Sequence, residues 1–276
     1  MKYQKKILHI AYCIVACAVV VSSLTLSVLT ADVLMFPKSL VVPPDAFSFA
    51  IPRQEHFQVP ILVYHHIREQ QGWGQHTWSW KMTVSPEIFD TQMKWLRDHG
   101  YTTVNLDTLI EILEGKRYGP LKPIVITFDD NQLNSYENGV PILEKYGHTA
   151  VFYLITNRLD QKVMINRERA LDLIARGMDV QSHTVTHAGL SGLSPDQIDW
   201  QLRESKRVLE ELTGKPVRHV AYPLTAHNAT VRARAKEAGY VTGTIMDPRP
   251  MNERDDWFKL PRIMMTDTTN LEKVLP

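Results

Sequence analysis

From Pro60 onward, short apolar runs alternate with stretches whose apolar residues recur at helical spacing. Pro60–Ile67 predicts a first strand, and Ile124–Phe128 a continuously apolar one that runs into Asp129-Asp130. Ala150–Ile155, Met178–Gln181, Val217–Tyr222, Val241–Ile245 and Leu260–Met264 read as further strands, with Thr102–Leu106 as a shorter one. Helices are expected between them. Ser85-Pro86-Glu87 is a start signal, with serine as cap and proline in the first turn, for a helix that turns Phe89, Met93 and Leu96 inward and stops at Gly100. Ser194-Pro195-Asp196-Gln197 starts another that reaches Leu212 before Gly214. Leu109–Leu113, Val140–Lys145, Glu168–Ala175 and Ala229–Ala238 complete the set. Strands alternating with helices argue for parallel strands joined by crossover helices. Seven or eight strands in residues 59–276 favour a closed α/β barrel over an open sheet. In such barrels the chemistry sits on loops at the C-terminal strand ends.

The N-terminal pattern differs. Residues 7–31 contain no Lys, Arg, Asp or Glu, while Lys2, Lys5 and Lys6 precede them. As a helix this run is about 37 Å long, enough to cross a ~30 Å hydrocarbon core with tilt. The flanking charges place the N-terminus in the cytoplasm and the rest of the chain outside it. A single-pass membrane anchor over 1–31 is therefore expected, with a cleaved signal or a lipoprotein site at Cys17 as alternatives. Residues 32–58 hold Pro37, Pro43, Pro44 and Pro52 and read as a tether, leaving 59–276 as one domain.

Composition narrows the function. Lys and Arg number 31 against 30 Asp and Glu, so no net field exists to grip nucleic acid. The only cysteines, Cys13 and Cys17, lie within the apolar run, which rules out a cysteine-based metal site in the domain. Histidines and carboxylates remain. Asp129 and Asp130 follow one strand, Ser182-His183-Thr184-Val185-Thr186-His187 follows another, and Tyr222-Pro223-Leu224 ends a third. Each alone suits a solvated turn. Together, Asp130, His183 and His187 make a set of two imidazoles and one carboxylate with open positions, the composition of a catalytic metal site. Asp129 is then a spare carboxylate able to act as general base. Adjacent residues in extended chain point different ways, which lets the two aspartates take different roles.

These residues carry a resemblance to the polysaccharide deacetylases with a NodB homology domain, carbohydrate esterase family four. Its carriers are "PILVYHHI" at 60–67, "ITFDD" at 126–130, "SHTVTH" at 182–187, "LEELTGKPV" at 209–217, "AYP" at 221–223 and "LPRI" at 260–263. The "YHHI" and "AYP" forms look most like the branch that deacetylates poly-N-acetylglucosamine. The resemblance implies a distorted (β/α) barrel of the NodB type and a divalent metal, zinc first with cobalt or nickel as alternatives, on Asp130, His183 and His187. It implies that Asp129 takes the proton of the attacking water and that the backbone N–H of Leu224, after Tyr222 and Pro223, faces the oxyanion. This chain lacks the late Leu-x-His that supplies the acid in many relatives, so the acid maps onto His65, with His66 as second choice. Where many relatives have Arg two residues before Pro223, Ala221 stands, and Arg262 is expected to orient Asp129 instead. Asn131 replaces the usual glycine after the two aspartates, and Leu224-Thr225 replaces Tyr-Gly.

The expected activity is metal-dependent N-deacetylation of an extracytoplasmic polysaccharide, poly-N-acetylglucosamine first and peptidoglycan or chitooligosaccharide next. A glycan-binding protein of the same fold that has lost catalysis is the competing expectation, motivated by Asn131 and Leu224. Exopolysaccharide synthesis proteins are open as partners. Trp73, Trp78 and Trp80 are candidates to stack on sugar rings or to pack their loop onto the barrel.

Overall fold

A computed structural model describes residues 58–70, 78–252 and 255–276. The expected anchor over 1–31 and all but the last residue of the tether lie outside them. Among the described residues no helix is long and apolar enough to cross a membrane.

Seven parallel strands close into a barrel: β1 (Ile61–Tyr64), β2 (Pro123–Asp129), β3 (Val151–Leu154), β4 (Asp179–Ser182), β5 (His219–Ala221), β6 (Thr242–Met246) and β7 (Leu260–Met264). Each pairs with the next in chain order, and β7 returns to β1 through Ile263 opposite Leu62. β2 closes the ring, with Val125 opposite Ile61 and Phe128 opposite Tyr64. The expected strand at Thr102–Leu106 shortens to Thr102–Thr103, which pairs with the first residues of β2. It stops there because Asn105 caps a helix, accepting the N–H of Thr108.

The crossover helices include α1 (Pro86–Asp98), α2 (Leu106–Leu113), α3 (Val140–Lys145), α4 (Arg167–Ala175), α5 (Pro195–Thr213) and α6 (Ala229–Glu237). Their boundaries follow local chemistry. Ser85 caps α1. Ser194 and Gln197 form a reciprocal capping box on α5, which ends at Gly214 with φ 64°. Asparagines 166 and 228 cap α4 and α6.

Strand alternation divides the core in two. On β2, Ile124, Ile126 and Phe128 face the helices and join an extended apolar layer with Leu62, Tyr64, Phe89 and Phe152. Their rings interlock, with Phe128 stacked on Phe152 at 4.8 Å and on Tyr64 at 5.5 Å. The alternate residues point inside the ring. Val125, Ile61, Val151, Ala221 and Leu260 form a small apolar plug with Leu106 and Leu109 of α2. Beyond it the interior turns polar: Thr127, Asp129, Gln181, His183, Thr244 and Arg262 are all buried. Burying so many polar groups is tolerated only where they satisfy one another.

Candidate active site

The polar interior opens at the C-terminal strand ends. β2 delivers Asp129 inward, and the chain then turns sharply. Asp130 has φ 76° and Asn131 φ 56°, so the two aspartates are not neighbours in an extended chain as expected. The strand stops at Asp129, and it is the left-handed turn that brings the Asp130 carboxylate back over the barrel mouth. Thr184, His187, Leu224 and Thr225 also have φ between 56° and 66°. All six left-handed non-glycine residues among those described thus follow β2, β4 and β5 at this one face. Strain of this kind, about 1–3 kcal/mol per residue, concentrates where side chains must be aimed.

Asn131 shows how one such turn is held. Its side chain accepts the N–H of Ile155 at 2.6 Å and donates to the carbonyl of Ile165 at 3.1 Å. Asparagine therefore does two things that glycine cannot. Asn131→Gly is expected to destabilise the domain by about 1–3 kcal/mol, despite the easier backbone, because two buried groups lose their partner. Asn131→Ala should cost more, since it adds the left-handed penalty. Thermal denaturation of the two variants checks this.

His183 and His187 converge on Asp130. The Nε2 atoms lie 3.5 and 3.1 Å from Asp130 Oδ1. His183 is fixed from behind, its Nδ1 2.8 Å from the carbonyl of Ala221, which leaves Nε2 free to face the centre. Asp130 Oδ1 is buried and has no hydrogen-bond donor. Among the described residues these three form the one group of His, Cys, Asp and Glu side chains whose ligand atoms all lie within 4.8 Å of one another. The chemistry of the set and the orphaned oxygen fit a divalent cation with nitrogen and oxygen ligands. Burial alone would raise the pKa of Asp130, but the two histidines outweigh it and hold the carboxyl well below the usual range. Burial likewise opposes a charged His183, yet Asp129 and Asp130 raise its pKa.

Asp129 sits beside this set, 3.9 Å from His183 Nε2. Arg262 grips it with two bonds, Nη1 to Oδ1 at 2.8 Å and Nη2 to Oδ2 at 2.7 Å. Nη1 also donates to Thr127 Oγ1 at 3.1 Å, and the guanidinium lies 5.3 Å from the centre of the Tyr153 ring. Burial pushes the Asp129 carboxyl up, but Arg262 and His183 more than offset it, so Asp129 is held ionised. Arg262, itself 1% exposed, is kept charged by Asp129 against its own burial.

His65 and His66 part ways. His66 is engaged with Ser79 Oγ and Asn134 Nδ2, each at 3.3 Å, and burial with Arg68 nearby pushes it down to about 4. His65 is buried with Nδ1 unpartnered. Burial lowers its pKa, and the opposing pull comes from Asp129 and Asp130, which places it in the electrostatic field of the site.

At the third strand end, Pro223 is buried and Leu224 is 69% exposed. The turn is closed by Thr225 N–H to the Tyr222 carbonyl and Ala226 N–H to that of Pro223. The Tyr222 side chain is not at the site. Ala221 faces the barrel interior, so Tyr222 faces the helices, and its ring lies where a side chain on Gly243 would be. Of the loop tryptophans, Trp73 and the Trp78 side chain fall outside the described residues, and Trp80 is half-buried. Sequence reasoning missed Thr127 and Tyr153. Thr127 carried a signal, because it lies two residues before Asp129 on one strand and so shares its inward face.

The model of the polysaccharide deacetylase family matches residues 116–243. A polysaccharide deacetylase of Bacillus cereus is 31% identical, with a TM-score of 0.70 over 79% of this chain and 68% of its own. The Streptococcus pyogenes deacetylase PplD, solved with acetate, is 25% identical with a TM-score of 0.75, covering 80% of this chain and all of its own. A poly-beta-1,6-N-acetyl-D-glucosamine N-deacetylase of Staphylococcus aureus is 27% identical over 201 residues, 67% of this chain and 68% of that protein. With the barrel, the convergent strand ends and these likenesses together, the chain belongs to the polysaccharide deacetylase family, hydrolases of the N-acetyl amide bond.

Proposed function

We propose that the protein removes acetyl groups from an N-acetylglucosamine polysaccharide outside the cytoplasm, poly-N-acetylglucosamine first among the candidates, and does so with a divalent metal, zinc before cobalt or nickel. The observation that carries this is the convergence of Asp130, His183 and His187 beside an ionised, arginine-gripped Asp129. The Staphylococcus aureus relative, named for poly-beta-1,6-N-acetyl-D-glucosamine, supports the choice of polymer. The charge-free run at 7–31 supports a membrane anchor with the domain on the outer side.

Asp130, His183 and His187 would hold the metal, which when bound lowers the pKa of water and polarises the acetamide carbonyl. Asp129 accepts the proton of the attacking water. Arg262 keeps that carboxylate ionised and aimed. The backbone N–H of Leu224 faces the oxygen on which negative charge develops. In its protonated form, which Asp129 and Asp130 favour and burial opposes, His65 donates to the leaving sugar nitrogen, so acetate and a free amine result. The two bonds made by the Asn131 side chain argue for an intact turn and against the competing reading of a glycan binder without catalysis.

The test is acetate release by the full chain, stripped of metal and reloaded with zinc, cobalt or nickel. A poly-N-acetylglucosamine oligomer and a peptidoglycan fragment serve as substrates. Release is expected only with metal and more strongly from the first substrate. His65→Ala should lower kcat by roughly 10²–10³-fold, in the range of a lost general acid, while stoichiometric metal is retained. Metal-loaded, folded protein that releases no acetate from either would sink the proposal.

A further inference from the structure

The turn after β3 places a fixed charge at the barrel mouth that the chemistry above leaves unused. Thr156–Arg158 forms a single 3₁₀ turn there. Its backbone is tied to the loop between the two site histidines: Thr156 N–H donates to the Thr184 carbonyl and Asn157 N–H to that of Val185, each at 3.1 Å. On its other side the Arg158 guanidinium reaches the turn after β2, donating from Nη1 to the Asp130 carbonyl at 3.1 Å. This segment therefore bridges the two turns that carry Asp130, His183 and His187.

That one bond leaves most of the five guanidinium donors uncommitted. Arg158 is half-buried, and its side chain makes no other hydrogen bond and no ion pair with a described residue. The carboxylates of the site and of its own turn are engaged elsewhere. Asp129 is gripped by Arg262, and Asp130 faces His183 and His187. Asp160, two residues on, pairs with Arg167 at 2.8 Å. A guanidinium keeps its charge at any pH the protein meets. The rim of the site thus carries a positive charge with no carboxylate partner among the described residues.

The reaction gives that charge something to act on. Deacetylation turns a neutral acetamide into an amine, which is protonated near neutral pH. In a polymer, the units beside the reacting one are neutral before they are processed and cationic afterwards. We infer that Arg158 is a specificity-determining residue: its charge disfavours a glycan whose units beside the reacting one have already lost their acetyl groups, and so limits how densely the product is deacetylated. This rests on the deacetylase reading and deepens it, since it assigns a choice among units of the polymer rather than a part in the hydrolysis. Repulsion between two such charges at a partly solvated site is worth about three- to tenfold, and salt screens it.

The experiment uses the full chain, metal-loaded, at about pH 6.5, below the ordinary range of α-amino groups, so that the sugar amine is charged. Two poly-N-acetylglucosamine oligomers of equal length are compared, one fully acetylated and one with glucosamine at alternate positions. The wild type is expected to favour the first by about three- to tenfold in kcat/KM per acetyl group, and less so in about 0.5 M salt. Arg158→Gln keeps a donor for the Asp130 carbonyl and removes the charge, so its preference should fall to within about twofold. Arg158→Lys keeps the charge and should keep the preference. A residue that only held the turn would slow both substrates alike and leave their ratio unmoved. A wild-type ratio near one, or a ratio that Arg158→Gln leaves unchanged, would overturn the assignment. A wild-type chain that releases no acetate from the fully acetylated oligomer would instead overturn the deacetylase reading. Calorimetric affinities for the two oligomers then decide for Arg158 alone, and equal affinities, or a difference that Arg158→Gln preserves, overturn its role.

Discussion

Asp129→Asn is expected to lower kcat for acetate release by about 10³-fold or more, in the upper range for removal of a general base. The metal set should survive, because Asp130, His183 and His187 reach one another without Asp129. The variant also strands Arg262, whose charge has no other carboxylate partner among the described residues. Removing one partner of a buried pair costs about 3–5 kcal/mol, so a fall in Tm should accompany the kinetic loss. Bound metal at wild-type stoichiometry, with acetate release near background, is the diagnostic combination. Release within tenfold of wild type would exclude Asp129 as the base.

Arg262→Met should produce the second large effect, and a different one. Arg262 is the largest of the groups that offset the burial of Asp129, ahead of His183. Without it, less opposes that burial and the folded pKa of Asp129 rises. The base is then protonated at pH values where the wild type is ionised. The acid limb of the pH–rate profile moves up, and part of the lost kcat returns as pH is raised. A simple loss of packing would lower kcat equally at all pH. The same pair sets acid stability. In the wild type the folded pKa of Asp129 lies below its ordinary 3.8, so the pair contributes stability above about that pH and loses it as pH falls through the lower, folded value. Arg262→Met removes that contribution, so its stability should gain little on raising the pH through this window. Urea midpoints measured between pH 2 and 6 for both proteins check the sign.

How much of this was readable beforehand depends on the range of the interaction. The strand–helix alternation, the caps at Ser85 and Ser194, and the three chemical strand ends are local patterns, and they mark the barrel and its working face. What local pattern does not encode is where a turn points. Asp129 and Asp130 read as an extended pair, and only the bonds that Asn131 makes to Ile155 and Ile165, both distant in sequence, explain the sharp turn. Tyr222 adjoins Pro223 and Leu224 in the sequence. The two-residue period of the strand already put it on the face opposite Ala221. The hold of Arg262 on Asp129 joins residues 133 apart in the chain, and the sequence alone supported it only through the resemblance and the missing arginine at position 221.

The division of the core into an apolar outer layer and a hydrogen-bonded barrel interior has a consequence for how the protein tolerates change. Substitutions among Leu62, Ile126, Phe152 and their helix partners alter volume in a layer that touches no reacting group. They should titrate abundance and melting temperature while specific activity per folded molecule holds. Substitutions at Thr127 or Tyr153 fall in the lining around the Arg262–Asp129 pair. They should leave soluble, folded protein with impaired turnover. In a deep mutational scan that scores yield and activity separately, the two sets would alternate along β2 from Ile126 to Asp129, so that damage to folding and damage to function are written on opposite faces of the same strand.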